Sequence, residues 1–431
     1  MINYVCFKNY KAYEDTGRID LAPITIIMGA NNSGKSVFLQ PFLVMKQTFK
    51  SLGTYPLLLR GGIVDAGEYE DVVYMHHMDR QVSLEFGFTV LEQFNGLPVS
   101  NANFTYKISV RYDEKDKNIK IVKEEICGES GELSIRLSGD KELTIKSGGF
   151  SSEIRIEDLR EQPKSLLELL LLLGRSDFRS RLRKLNIKSK IIEDLRAILE
   201  MVSHNFQSIF YIGPLRRPPT RYYDISERPR DESIGVYGEY TPQILERELD
   251  SLRNILTQWL ESIDVKAEVK IKSVTHNLIS ILLKDPEPGL EVNLADSGFG
   301  ISQIIPIVIE GYRSPRKSLV IYEQPELHLH PKAQASLIDF FAYLIREHGK
   351  QVIIETHSEH IILRLQRRVA EQMLKPSDVS IYYCERQKTG SKLKRVEVGS
   401  DGTIREWPKG FLDTDIEEAY EYAKALLRRP Q

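Results

Sequence analysis

Eight residues near the N-terminus constrain this chain more than any other feature. Gly29-Ala30-Asn31-Asn32-Ser33-Gly34-Lys35-Ser36 has the spacing G-x-x-x-x-G-K-[ST]. The stretch before it, Pro23 to Met28, is short, apolar and β-branched, which predicts a buried strand. A helix is expected from Lys35 to about Lys50. Between the two, the glycines let the backbone close into a nest of N–H groups that suits phosphate oxygens. Residues Gly29 and Asn31 to Val37 would line that nest. Lys35 adds a point charge toward the β- and γ-phosphates, and Ser36 offers a hydroxyl to Mg²⁺. The helix N-terminus adds its dipole.

A nucleotide site of this kind needs an acid at the end of another buried strand. Ser318 to Glu323 is such a strand, and Glu323 is placed to meet Mg²⁺ or its water. The surrounding residues are more specific still. Glu323-Gln324-Pro325-Glu326-Leu327-His328-Leu329-His330-Pro331 follows Asp296-Ser297-Gly298-Phe299-Gly300-Ile301-Ser302-Gln303, and precedes a strand ending in Glu355-Thr356-His357-Ser358. A Ser-Gly turn opening a helix presents free N–H donors to an anion. The plainer reading of that turn is an N-cap with Ser297 as the capping side chain.

In this order the motifs resemble the ABC-type ATPases of the RecF/SMC/OLD (overcoming lysogenization defect) group. The likeness is greatest to prokaryotic members labelled AAA that carry a small uncharacterised C-terminal domain. It extends to Asn9-Tyr10-Lys11-Ala12-Tyr13, Lys46-Gln47-Thr48, Gly67 to Asp71, Tyr211 to Arg216, Gly238-Glu239 and Trp407-Pro408-x-Gly410-Phe411. Nearly all of the chain is covered except about 80–205. The resemblance implies an α/β fold, a P-loop head with a mixed sheet and flanking helices. It implies ATP and Mg²⁺, and two heads joined head to tail across two ATP molecules. Ser297 and Gly298 would then face the γ-phosphate held by the partner's P-loop, and His357 would be the switch histidine. Gly67 to Asp71 would be the lid loop that senses Mg²⁺.

One position departs from the pattern. The residue after the Walker B acid is Gln324, where most ABC ATPases have a catalytic Glu. Glutamine can orient water but cannot take its proton. Hydrolysis is therefore expected to be slow, or Glu326 or His357 accepts the proton.

The rest of the chain divides around these motifs. Residues 1–80 and 205–385 are expected to form the head, 81–204 an inserted β-meander with helices, and 386–431 a small C-terminal domain. From Gln81 to Ile156, short alternating runs separated by charged turns predict the meander. After Ser297 the strand–helix alternation predicts a largely parallel sheet. Leu166 to Leu173 is read as core. The 260 residues between Ser36 and Ser297 show no long heptad arm, which excludes an SMC-type coiled coil.

Composition limits the partners. Lys and Arg number 59 against 61 Asp and Glu, so the chain is not a polycation. One segment does stand out. Arg175, Arg179, Arg181, Arg183, Lys184, Lys188 and Lys190 face a single Asp177, which offers a local phosphate-contacting patch for DNA or RNA, or simply a solvated helix face or a partner surface. Arg216, Arg217 and Arg221, with Arg228 and Arg230 beyond, form a second basic loop. Arg216 is expected to reach phosphate or the partner head, or to pair with a nearby acid. Asp413-x-Asp415 is set aside as a nuclease motif because it follows Pro408 and Gly410 and not a buried strand. Any nuclease or effector is then a separate subunit. Cys6, Cys127 and Cys384 fit no disulfide or metal framework, and no stretch is apolar enough to span a bilayer, so a cytoplasmic protein is expected.

Taken with the resemblance, the expected function is a dimerising ATPase in DNA repair or in defence against phage and plasmids. The alternatives are a slow, nucleotide-switched regulatory scaffold and, less favoured, a transport-type ABC subunit. The DSGFG signature, Gln324 and the large insertion count against the last.

Overall fold

The computed structural model describes residues 1–51, 55–90, 102–129, 131, 133–139, 141–147, 150–159, 161–227, 233–287, 289–407, 420–422 and 424. Arg228, Arg230, the Trp407 motif beyond Trp407, and Asp413 and Asp415 lie outside these residues, as does most of the tail.

The chain begins with β1 (Ile2–Tyr10), β2 (Tyr13–Asp15), β3 (Ile19–Asp20) and β4 (Ile24–Gly29), then α1 (Lys35–Lys50) and the short α2 (Tyr69–Val72). The meander follows as β5 (Val82–Val90), β6 (Ala102–Asp113), β7 (Asn118–Gly128), β8 (Leu133–Ser138), β9 (Glu142–Ser147) and β10 (Phe150–Arg155). Three helices come next, α3 (Leu166–Leu173), α4 (Ser176–Lys184) and α5 (Ser189–Gln207). Then β11 (Ile209–Ile212), β12 (Tyr223–Asp224), α6 (Thr241–Ser262), β13 (Glu268–Ser273), β14 (Leu278–Lys284) and β15 (Glu291–Asn293) lead to α7 (Phe299–Arg313). The last part alternates β16 (Leu319–Glu323), α8 (Pro331–His348), β17 (Gln351–Glu355), α9 (Glu359–Ala370), β18 (Val379–Gln387) and β19 (Gly390–Val396).

Among the described residues these strands form three sheets. One is a six-stranded sheet in the order β11-β16-β17-β4-β18-β19, parallel except for β19. A second is antiparallel and runs β10-β9-β8-β7-β6-β5-β1-β2, with β3 also on β1. A smaller one joins β12, β13 and β15 to β14 and leans on α6. The expected mixed sheet with flanking helices and the expected β-meander are both present. The meander continues the N-terminal strands: Val5 pairs with Phe86 and Phe7 with Leu84, so β1 and β5 share one sheet.

The parallel sheet is covered on both faces, and β4, β11, β16 and β17 are accordingly buried along nearly their whole length. Ile27, Ile321, Ile353 and Tyr211 face one core with α1, the antiparallel sheet, α3 and α5. Ile26, Val320, Tyr322 and Ile354 face the other core with α6 to α9. Helix α1 therefore lies between two sheets. Its Phe38 and Phe42 meet each other and Phe7, Phe42 meets Phe86, and Phe86 meets Phe206, with centroids 5.0 to 6.1 Å apart. Five of the eight residues of α3 (Leu166, Leu167, Leu169, Leu172, Leu173) are buried, so this helix is core. The result for function is one edge: β4, β16 and β17 all end on the same side, where open α/β sheets bind ligands.

Candidate nucleotide-binding site

β4 ends at Gly29, whose φ of 145° only glycine adopts freely. A Cβ there would stand 2.3 Å from the Cys384 carbonyl oxygen. Asn32 and Gly34 also have positive φ, 58° and 105°, so the loop curls its amides inward. Gly34 caps α1 without any side-chain hydrogen bond, which leaves the first amides of α1 directed at the loop. The Ser33 hydroxyl is buried and has no partner. An orphaned donor in a nest of amides fits a phosphate oxygen. The Lys35 ammonium reaches across the loop and donates to the Ala30 carbonyl at 2.7 Å. Burial lowers its pKa, opposed by the charges of Glu355, Cys384, Glu323 and Glu326.

The C-terminal strands brace this loop. Cys384 on β18 lies opposite Gly29, and its thiol donates to the Ser33 carbonyl at 2.9 Å. The Tyr13 hydroxyl donates to the Gly34 carbonyl at 2.9 Å and lies 3.2 Å from the same sulfur.

Two carboxylates stand beside the loop. Glu323 ends β16 and accepts a 2.5 Å hydrogen bond from the Tyr211 hydroxyl on β11. Glu355 ends β17, in register with Glu323 on one side and Ile27 on the other. Its Oε1 accepts from the Ser36 hydroxyl at 2.9 Å. Burial first, and then the Glu323 charge, push the Glu355 carboxyl up to about 8. Glu355 and Tyr211 were not among the expected site residues. The signal for Glu355 was an acid closing an apolar strand directly before Thr-His-Ser.

The segment after Glu323 is held in an unusual conformation. Gln324 has φ of 44°, which costs a non-glycine residue free energy. Its amide donates to the Glu355 carbonyl at 2.8 Å. Its own carbonyl accepts from Arg216 at 3.0 Å. Arg216 differs from expectation: it is buried, and its guanidinium serves the carbonyls of Gly213, Gln324, Pro325 and Leu327 and the Gln303 side chain on α7. Desolvation lowers its pKa to about 10. A planar fork satisfies several carbonyls at once, so it knits the Walker B loop to α7. Glu326 is buried, and its Oε1 accepts from the His357 amide at 2.7 Å. Burial raises the Glu326 pKa. His357 is exposed, and desolvation with the Lys35 charge lowers its pKa.

The Ser-Gly turn does not use Ser297 as a cap. Its hydroxyl donates back to Leu294 at 2.7 Å, and Gly298 caps α7 with no side-chain bond. Asp296 pairs with Arg221 at 2.7 Å. Gly300 is required by packing, since a Cβ would meet the His328 carbonyl at 2.8 Å. The turn is thereby fixed against the His-Leu-His segment.

Other expected residues have local partners. Lys46 donates to the Ile209 carbonyl, and Gln47 donates to the Leu58 and Val64 carbonyls, so this helix end clamps neighbouring chain. Glu68 and Asp71 close a capping box on α2. Arg175, just before α4, pairs with Glu161 and Asp177, and Arg181 on α4 donates to the Asp158 carbonyl. Arg179 is partly buried, while Arg183 and Lys184 are exposed.

Serine and carboxylate oxygens suit a hard cation such as Mg²⁺. Among the described residues no group of three or more His, Cys, Asp or Glu is arranged to hold a metal. Phosphate and water oxygens would have to complete the set. No helix among the described residues is long and apolar enough to cross a membrane.

Strand, nest, helix and adjacent acid place the molecule among the P-loop nucleoside triphosphatases. The chain belongs to the AAA ATPase domain family, whose model matches residues 1–209 and 237–362. A second family model, Protein of unknown function (DUF3696), matches residues 374–416. No curated protein matches the sequence. Similar solved structures include an Smc head bound to the C-winged helix domain of ScpA, at 13% identity over 92% of this chain and 98% of that one (TM-score 0.47). An Smc head with a coiled coil and joint from Pyrococcus yayanosii matches at 10% identity over 97% and 99% (TM-score 0.45). The SMC head domain from Thermotoga maritima matches at 12% over 92% and 99% (TM-score 0.39).

Proposed function

We propose that the protein binds and hydrolyses ATP at the Gly29–Val37 loop and that ATP joins two copies through their Ser297-Gly298 turns. The observation that carries this reading is the loop itself. It combines a nest with a buried, unpartnered Ser33 hydroxyl, an overhanging Lys35, and Glu323 at the end of β16, one strand removed from β4.

Each residue then has a role set by its position. Lys35 and the amides from Asn31 to Ser36 bind the phosphates. Ser36 and Glu323 would hold Mg²⁺, which when bound neutralises phosphate charge and polarises the group under attack. Gln324 orients water. Glu326, with its Oε2 buried and unpartnered, accepts the proton, helped by its raised pKa. His357 hydrogen-bonds the terminal phosphate. Gln324 also supports a second reading, in which hydrolysis is slow and the bound state is the signal. The uncapped start of α7 offers N–H donors to the partner's nucleotide, so binding favours the joined state through the γ-phosphate. The family resemblance ties this switch to DNA, in repair or in defence, with the exposed Arg183 and Lys184 end of α4 as the contact.

The test is light scattering of the full chain with ATP and Mg²⁺, with and without DNA. Dimer is expected with ATP and not with ADP, and Ser297→Asp should abolish it. A chain that stays monomeric with bound ATP contradicts the switch.

A further inference from the structure

We propose that Glu355 is a positioning residue of the divalent-cation site, holding the Ser36 hydroxyl with one carboxylate oxygen and a water of the cation's hydration shell with the other. This rests on the nucleotide-binding reading above and adds a residue to it.

Glu355 sits at the middle of the functional edge, between Glu323 on β16 and the end of β4. It is 1% exposed. Oε1 accepts from Ser36 at 2.9 Å. A serine that gives its proton to a carboxylate has its lone pairs left for a cation, and outer partners of this kind orient the direct ligands. Oε2 is buried and has no partner. Leaving a carboxylate oxygen bare in a protein interior is costly unless something else binds it. The neighbouring groups do not supply that partner. Lys35 donates to Ala30, and the Tyr211 hydroxyl donates to Glu323.

Glu326 also keeps a bare Oε2, but its Oε1 holds the His357 amide instead of Ser36. The buried Glu310 differs. It has both oxygens taken, by the Ser233 hydroxyl and the Ile234 amide. Among these three, Glu355 alone keeps bonding capacity while holding the residue expected to touch the metal. A hydrated Mg²⁺ retains several waters, and these are donors that match Oε2.

The experiment uses the full chain and Mn²⁺ as a spectroscopic stand-in for Mg²⁺. A fluorescent ATP analogue is first bound in buffer stripped of divalent cations and free of chelator, and Mn²⁺ is then titrated into the complex by electron paramagnetic resonance. Glu355→Gln should keep its melting temperature and its metal-free nucleotide affinity within about twofold, while Mn²⁺ binding weakens roughly 10- to 100-fold. Adding Ser36→Ala to that variant should cost much less than it does alone, because both act on one ligand. Glu355→Asp, which keeps the charge but shortens the reach, should weaken Mn²⁺ as well and serves if the Gln variant does not fold. Mn²⁺ affinity unchanged in either folded variant, with nucleotide bound, overturns the proposal and leaves the nucleotide reading intact. A wild-type chain that binds no nucleotide overturns both.

Discussion

Glu124 and Glu355 are both buried carboxylates, one in the antiparallel sheet and one at the edge of the parallel sheet. Desolvation raises both, Glu124 to about 7 and Glu355 to about 8. Their surroundings differ. Glu124 accepts from the Tyr106 hydroxyl and the Leu166 amide, each at 2.7 Å, and so ties β7 to β6 and to the start of α3. Glu355 has one oxygen on Ser36 and the other without a partner. Burial and a raised pKa therefore do not mark a site. Unfilled bonding capacity does, when it lies at the C-terminal ends of parallel strands beside an anion nest.

The largest effect should come from the edge itself. Lys35→Ala is expected to lower nucleotide affinity about 100-fold or more, because it removes the ammonium that stands over the loop. Equal affinity in this variant would erase the distinction between the two regions.

The next effect belongs to the antiparallel sheet. The Glu124 carboxyl binds its proton more tightly folded than unfolded, so its contribution to stability is whole below about pH 4.5 and is lost as pH rises through about 7. The loss is of the order of 3 kcal/mol. Glu124→Gln should flatten that part of the stability–pH curve in chemical denaturation and leave nucleotide affinity unchanged. A change in nucleotide affinity would break the comparison from the other side.

The smallest effect concerns turnover. Gln324→Glu should raise phosphate release about tenfold, and Glu326→Gln should lower it by a similar factor, less than the roughly 10²–10⁴-fold of a sole general base because orienting water and taking its proton are divided between the two residues. Rates unchanged in both variants would remove these residues from the chemistry.

The legible parts of the molecule are those whose chemistry is local in sequence. The strand, loop and helix from Ile24 to Lys50 follow from adjacent residues, as does the Glu323 strand. Glu355 was harder to see because its role arises from register: β17 inserts between β16 and β4, placing it against residues 32 and 319 positions away. Arg216, in a basic loop, was expected to reach phosphate or the partner head, or to pair with a nearby acid. Its burial depends on carbonyls turned inward by the positive φ at Gln324, which composition does not reveal. The pairing of β1 with β5, and of β18 with β4, likewise depends on contacts across the chain. These long-range pairings make the Cys384 thiol a support for the P-loop, a role hidden in a sequence with three scattered cysteines.

The central claim is that the Gly29–Ser36 edge hydrolyses ATP. Phosphate release from ATP by the full chain, in Mg²⁺ and in EDTA, for wild type and Lys35→Ala, tests it most directly. Release is expected from wild type in Mg²⁺ alone, with background release in the other three conditions. Equal release by wild type and Lys35→Ala, or no ATP binding by wild type, would contradict it.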